Sequence, residues 1–118
     1  MSHKNQFIWQ KSVKLSINCY RITKHFPKEE LYGLTSQIRR SSVSIASNIA
    51  EGYGRVSSKE YVRFLQIANG SMRELDTQLI IAREVGLISQ ELVAPVIEEV
   101  DEMQKIMTVT LQKIEARI

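Results

Sequence analysis

Apolar residues recur along this chain at the spacing of an α-helix, and strand-like alternation is nearly absent. Leu15, Cys19, Ile22 and Phe26 stand at i, i+4, i+7 and i+11, which places them on one face of a first helix. That helix is expected from about Trp9 to Phe26, with Pro27 stopping it. Trp9, Val13, Ile17 and Tyr20 make a second apolar stripe, roughly opposite the first at about 100° per residue. A helix with one buried side needs only one stripe. Either the first helix presents a wide face to a bundle and its capping loop, or the second stripe meets another subunit.

Three more helices follow. The second is expected from near Thr35 to Glu51, with Leu34, Ile38, Ile45 and Ile49 as its large apolar side. Gly52 and Gly54 suit positive φ at its C-terminus. Ser57 and Glu60 form a capping-box pattern for the third helix, and Val56 and Tyr61 stand at the positions of a hydrophobic staple. This helix should reach Val85, with Gly86 as its stop. Ser89 can cap the fourth, although Pro95 can delay or kink its start. Val96, Val100, Met103, Met107 and Ile114 give that helix one apolar side. Four helices joined by short loops predict an all-α, up-down-up-down antiparallel four-helix bundle, one domain over residues 1–118. Ser42, Ala46 and Ala50 form a ridge of small side chains on the second helix. Gly70 and Ser71 are expected to face it, so that the two backbones approach closely.

Composition narrows the function classes. No apolar run approaches the ~18–20 residues that span a bilayer, so no membrane role is expected. The start of the chain lacks the apolar stretch of a signal peptide, and the single cysteine, Cys19, cannot form an internal disulfide. Both fit the reducing cytoplasm. The net charge of +3 is unevenly spread. Residues 1–63 hold eleven Lys and Arg against four acids, a balance of +7; residues 64–118 hold five against nine, a balance of −4. A basic half attracts nucleic acid or pairs with the acidic half of a neighbour.

The stretch from Ser36 to Leu79, "SQIRRSSVSIASNIAEGYGRVSSKEYVRFLQIANGSMRELDTQL", resembles the bacterial four-helix-bundle family of 23S rRNA intervening-sequence proteins, whose members are sometimes labelled ribosomal proteins. Ser44-Ile45, Asn48-Ile49-Ala50-Glu51-Gly52, Arg55, Ser58-Lys59-Glu60, Phe64-Leu65, Ala68 and Gly70-Ser71 carry the likeness. The lead-in "FPKEELYGLTSQIRR" and Trp9-Gln10-Lys11 extend it over nearly the whole chain. Many relatives have proline where this chain has Ala46, so its second helix should be straighter. The resemblance implies a left-handed antiparallel bundle and a ring-shaped homopentamer. It also implies an association with rRNA, because the founding genes of the family lie inside rRNA insertions. A more distant similarity is to the accessory protein of diversity-generating retroelements, a basic pentameric bundle that binds reverse transcriptase and nucleic acid.

The candidate nucleic-acid site is a set of cations. Lys11, Lys14, Asn18, Arg21, His25 and Lys28 follow 3-4-3-4-3 spacing, which would place them on one face of the first helix. Arg39, Arg40, Arg55, Lys59 and Arg63 add charge on the second helix and the hairpin after it. Tyr32 and Tyr53 are candidates for stacking on bases. Asn48, Glu51, Gly52, Gly70 and Ser71 read as structural parts of the motif. Asn48 and Glu51 would bond free amides or hydroxyls, and Arg55 would pair with an acid.

Catalytic patterns are lacking. Neither Glu-x-x-His pairs nor a phosphate loop occurs, and His3 and His25 lack ligand spacing, so no metal or cofactor is expected. Glu98, Glu99, Asp101 and Glu102 read as a solvated acidic face, and Cys19 as a small core residue. The chain therefore reads as a non-enzymatic homo-oligomer that binds RNA or other nucleic acid through its first helix and hairpin. The alternative is a protein–protein interaction scaffold whose basic half meets acidic surfaces.

Overall fold

Serine hydroxyls set the starts of the two longest helices. Ser57 Oγ accepts a hydrogen bond from the Glu60 amide at 3.1 Å, and Ser89 Oγ accepts one from the Leu92 amide at 3.3 Å. The computed structural model describes residues 2–118, and among them lie four α-helices: α1 Phe7–Thr23, α2 Leu34–Tyr53, α3 Ser58–Glu84 and α4 Gln90–Glu115. Single 3₁₀ turns at His3–Asn5 and Lys28–Glu30 precede α1 and α2.

α1 begins two residues before the expected Trp9 and ends three before Phe26. The early end follows from Pro27, which disfavours the α conformation one residue upstream. The chain tightens instead, with the Phe26 amide bonding the Thr23 carbonyl at 3.0 Å and the Thr23 hydroxyl donating to the Cys19 carbonyl at 2.7 Å. The start of α2 is capped from a distance. Glu30 Oε1 accepts from the Leu34 amide at 3.1 Å, placing a carboxylate at the positive end of the helix. Gly33 leaves room for it: a Cβ there would lie 2.7 Å from Glu30 Oε1.

The glycines behave differently from expectation at three positions. Positive φ occurs only at Gly86 among the described residues, at 83°. There the Leu87 amide bonds the Ala82 carbonyl at 2.9 Å and the Gly86 amide bonds Arg83 at 3.1 Å, a Schellman stop for α3. Gly54 is right-handed, with φ −78°. Gly52 instead serves close packing, since a Cβ on it would stand 2.6 Å from Phe64 Cβ on α3. Gly70 would meet nothing within 4 Å and so does not face the small ridge. The next residue, Ser71, takes the inward direction and donates to Ser44 Oγ at 2.9 Å. The Ser42–Ala46 side of the ridge faces α1 rather than α3, with Ser42 and Ser16 hydroxyls 3.0 Å apart. The Val56–Tyr61 staple does not form, because Val56 projects fully into solvent at the hairpin tip. Tyr61 packs edge-on against Tyr53 instead, with ring centroids 5.9 Å apart. Pro95 sits on the exposed side of α4 and neither delays nor ends the helix.

Each helix packs on the next in sequence and α4 closes back on α1, giving an all-α, up-down-up-down antiparallel four-helix bundle of 45 × 22 × 20 Å. Its core is one contiguous cluster: Leu15 from α1, Ile38 and Ile45 from α2, Leu65 and Met72 from α3, and Met103 from α4 are wholly inaccessible. The pairs α1–α2 and α3–α4 therefore form opposite sides of the molecule.

Candidate functional site

The cations singled out from the sequence separate into three groups, because long-range partners claim some of them. Lys11 forms an ion pair with Glu102 of α4, and Asn18 Nδ2 donates to Glu99 Oε1 at 2.7 Å. The basic stripe of α1 thus leans on two of the four acids expected to form a solvated face. Lys14 stays exposed. Arg21 Nη1 lies 3.4 Å from Asn18 Oδ1. His25 and Lys28 fall beyond the end of α1, so they do not continue the helix face as the spacing had suggested.

The hairpin cations keep local company. Arg55 pairs with Glu51 at 2.5 Å and lies over the Phe64 ring at 4.9 Å, while Arg63 lies 3.9 Å from Glu60 and 5.6 Å from the same ring. Such exposed pairs are worth about 0–1 kcal/mol each. Lys59 is exposed beside them. Asn48 Nδ2 donates to the Ser44 carbonyl at 2.8 Å and to its hydroxyl at 3.0 Å, which completes a Ser71–Ser44–Asn48 chain between α2 and α3. Burial first, then the neighbouring Tyr53, raises the Tyr61 phenol above its ordinary value, with Arg117 opposing.

Arg39 and Arg40 belong to the third group, at a groove between α1 and α2. The groove encloses about 720 Å³; Val13, Ile17 and Tyr20 line it from α1, and Val43, Ala46 and Ser47 from α2. Short side chains make the hollow, since Ala46 and Ser47 do not reach across the valley between the helices. Its rim is apolar and open: Ile17 is 46%, Tyr20 44% and Val43 42% exposed. Three members of the second apolar stripe of α1 therefore border the groove, whereas Trp9 packs against the core.

Charge gathers at one end of the groove. Arg21, Lys24 and Arg39 border it, and Arg39 Nε donates to Thr23 Oγ1 at 2.9 Å while its guanidinium lies 4.7 Å from the Tyr20 ring centre. A shallower hollow of about 460 Å³ continues past Tyr20, Arg39 and Val43 to Leu31, Tyr32 and Arg40. Tyr32 is 93% exposed. Among the described residues, Arg21, Lys24, Arg39 and Arg40 have no carboxylate within ion-pair distance. Lys24 was absent from the set read off the sequence. The signal for it was its place one turn beyond Arg21 and Tyr20.

Among the described residues no three His, Cys, Asp or Glu side chains come together as a metal site. Burial, with help from the Glu99 charge and against a hydrogen bond with Ser42, pushes the Cys19 thiol up to about 12. A buried thiol held protonated is a poor nucleophile. No helix among the described residues is long and apolar enough to cross a membrane.

Residues 4–109 match the family described as 23S rRNA-intervening sequence protein. No curated protein matches the chain. Among solved structures, a protein of unknown function from the S23 ribosomal protein family of Bacteroides thetaiotaomicron VPI-5482 superposes with a TM-score of 0.79 at 20% identity. The superposition covers 88% of this chain and 97% of that one. At this identity the likeness speaks for the shared fold.

Proposed function

The chain belongs to the 23S rRNA-intervening sequence protein family, and from that premise we propose that it acts without catalysis, as a self-associating interaction module whose contact surface is the α1–α2 groove. The open apolar rim of the groove carries this reading. Ile17, Tyr20 and Val43 stand on one side of the bundle with nearly half of each side chain in water. Contiguous exposed apolar patches mark interaction sites in soluble proteins. A closed ring, the homopentamer implied by the family resemblance, would cover the same rim in every subunit.

Sedimentation velocity on Val43→Glu and Ile17→Glu tests the proposal. Both positions lie outside the core, so circular dichroism should show the wild-type helix content. The expected result is an assembled wild-type protein and variants that sediment at the single-chain mass of 13.6 kDa. Variants that keep the wild-type mass would remove the groove from the interface.

One observation favours a second reading, RNA binding. Arg21, Lys24 and Arg40 have no carboxylate partner among the described residues, and Tyr32 stands exposed beside Arg40. Phosphates would take the cations and a base could stack on the phenol ring. Fluorescence polarisation with a labelled rRNA hairpin, at low and near-physiological salt, separates the two readings. RNA binding predicts affinity that survives moderate salt and is lost in Arg21→Glu with Arg40→Glu. Absence of binding at low salt would end this reading and leave the groove to protein.

A further inference from the structure

We propose that the seam where α4 closes on α1 docks an acidic amphipathic helix of another protein. This seam is separate from the α1–α2 groove, and the proposal does not depend on that groove. The start of α1 and the end of α4 leave an open hollow of about 430 Å³ between them. Ile8, a core residue, and Ile106, packed against the core, line it. Phe7 and Val109 border the same hollow and are 62% and 49% exposed. Thr110 also lines it, but its hydroxyl donates to the Ile106 carbonyl at 2.8 Å, within its own helix. Apolar surface left open in this way is stabilised by being covered.

Charge indicates what covers it. Lys105, Val109 and Lys113 follow one another at i, i+4 and i+8, so they form one row along α4 with a cation at each end. At 1.5 Å per residue the row is about 12 Å long. Neither lysine has a carboxylate within ion-pair distance among the described residues. The facing wall cannot supply one, because α1 holds no Asp or Glu along its whole length. Glu102, one turn before Ile106, is already paired with Lys11. Two uncompensated positive charges therefore flank an apolar hollow, and the complement is an apolar surface flanked by two negative charges.

A helix of the pattern Glu-x-x-Leu-Leu-x-x-Glu has that complement on one face. Its acids stand about 10–11 Å apart along the axis, with two apolar side chains between them. Laid along the seam, the leucines enter the hollow over Ile106 and Val109 while the glutamates reach Lys105 and Lys113, a helix-in-groove contact. Other anionic surfaces match less of the site. A bilayer takes up projecting side chains and would leave the hollow unfilled. A phosphate backbone would take the lysines but bring nothing apolar to Phe7, Ile106 and Val109.

A charge swap tests the pairing. The probe is a dye-labelled peptide of about 18 residues, long enough to hold a helix, with the Glu-x-x-Leu-Leu-x-x-Glu face. Fluorescence anisotropy against the full chain should show saturable binding that weakens as salt rises. Lys105→Glu with Lys113→Glu should weaken it by roughly tenfold or more, and the same peptide with lysine at both glutamate positions should bind this variant instead. Val109→Asp should weaken both pairings by a similar factor. All three positions are exposed, so circular dichroism should show the wild-type helix content. Ile17→Glu with Val43→Glu should bind the peptide as wild type does, so failure of the α1–α2 groove as an interface leaves this result readable. Absence of saturable binding at low salt, or binding that ignores the lysine and Val109 substitutions, would overturn the proposal. So would binding of phosphatidylglycerol vesicles in place of the peptide, which would make the occupant a membrane. A change in the mass of the protein alone on Lys105→Glu with Lys113→Glu would overturn it too, by making the occupant a second copy of this chain.

Discussion

Gly52→Ala and Gly70→Ala change the same atom in the same kind of element, and the structure predicts opposite signs. A Cβ on Gly52 would stand 2.6 Å from Phe64 Cβ and 3.0 Å from Tyr61 Cδ1. Carbon atoms prefer about 3.5–4.0 Å, so α2 and α3 would have to separate locally by about 1 Å. Phe64 Cβ is fixed to its backbone and cannot rotate away. Forced insertion into a close contact typically costs about 1–3 kcal/mol. Alanine returns up to about 1 kcal/mol of helix propensity in a helix interior, and less at Gly52, which is the second-last residue of α2. The net loss should be about 1–2 kcal/mol. At Gly70 a Cβ meets nothing within 4 Å, and the position is mid-helix, so Gly70→Ala should gain about 0.5–1 kcal/mol. For a chain of this length about 4 °C in Tm corresponds to each kcal/mol. Urea melts of the three proteins at one matched concentration would read the difference, since self-association itself shifts apparent stability. A Gly52→Ala protein as stable as wild type, or a destabilised Gly70→Ala, would refute this account of the α2–α3 contact.

Two further expectations follow from single contacts. Glu30→Ala removes the acceptor for the Leu34 amide and should cost about 1 kcal/mol in a urea melt, whereas Glu30→Gln keeps an acceptor and should cost less. The Cys19 thiol, at about 12 when folded, should be ionised in on the order of one molecule in ten thousand at pH 8, so a thiol reagent should label it only as fast as the chain opens. The sign in stability is the matching one. The folded state favours the protonated thiol, so this contribution is full below the ordinary thiol value and is lost as pH rises towards 12. Labelling at pH 8 as fast as in urea would contradict the burial of Cys19.

The fold was legible because its signals are local. Ser57, Ser89 and Gly86 announce helix ends through bonds spanning three to five residues, and the apolar spacing of Leu15 and Cys19 needs only one helix to read. What the sequence hid lies in contacts between helices. Whether Gly70 or Ser71 points inward depends on the rotation of α3, which only the packing of Ser44 and Gly52 fixes. The basic stripe of α1 is regular in sequence, yet Glu102 and Glu99, more than eighty positions away, take Lys11 and Asn18 out of it. The cap from Glu30 was invisible for a similar reason, since it reaches across a 3₁₀ turn that Pro27 shapes. The groove itself was half visible. Ile17 and Tyr20 showed as an extra stripe, but its cationic end needed Arg39 and Lys24 brought together from two helices.

Self-association through the groove is tested most directly by the mass of the unmodified protein in solution. Multi-angle light scattering across micromolar concentrations at near-physiological salt should give a mass several times the single-chain 13.6 kDa, falling towards it when Val43 becomes glutamate. A wild-type protein that stays at the single-chain mass throughout that range would contradict it.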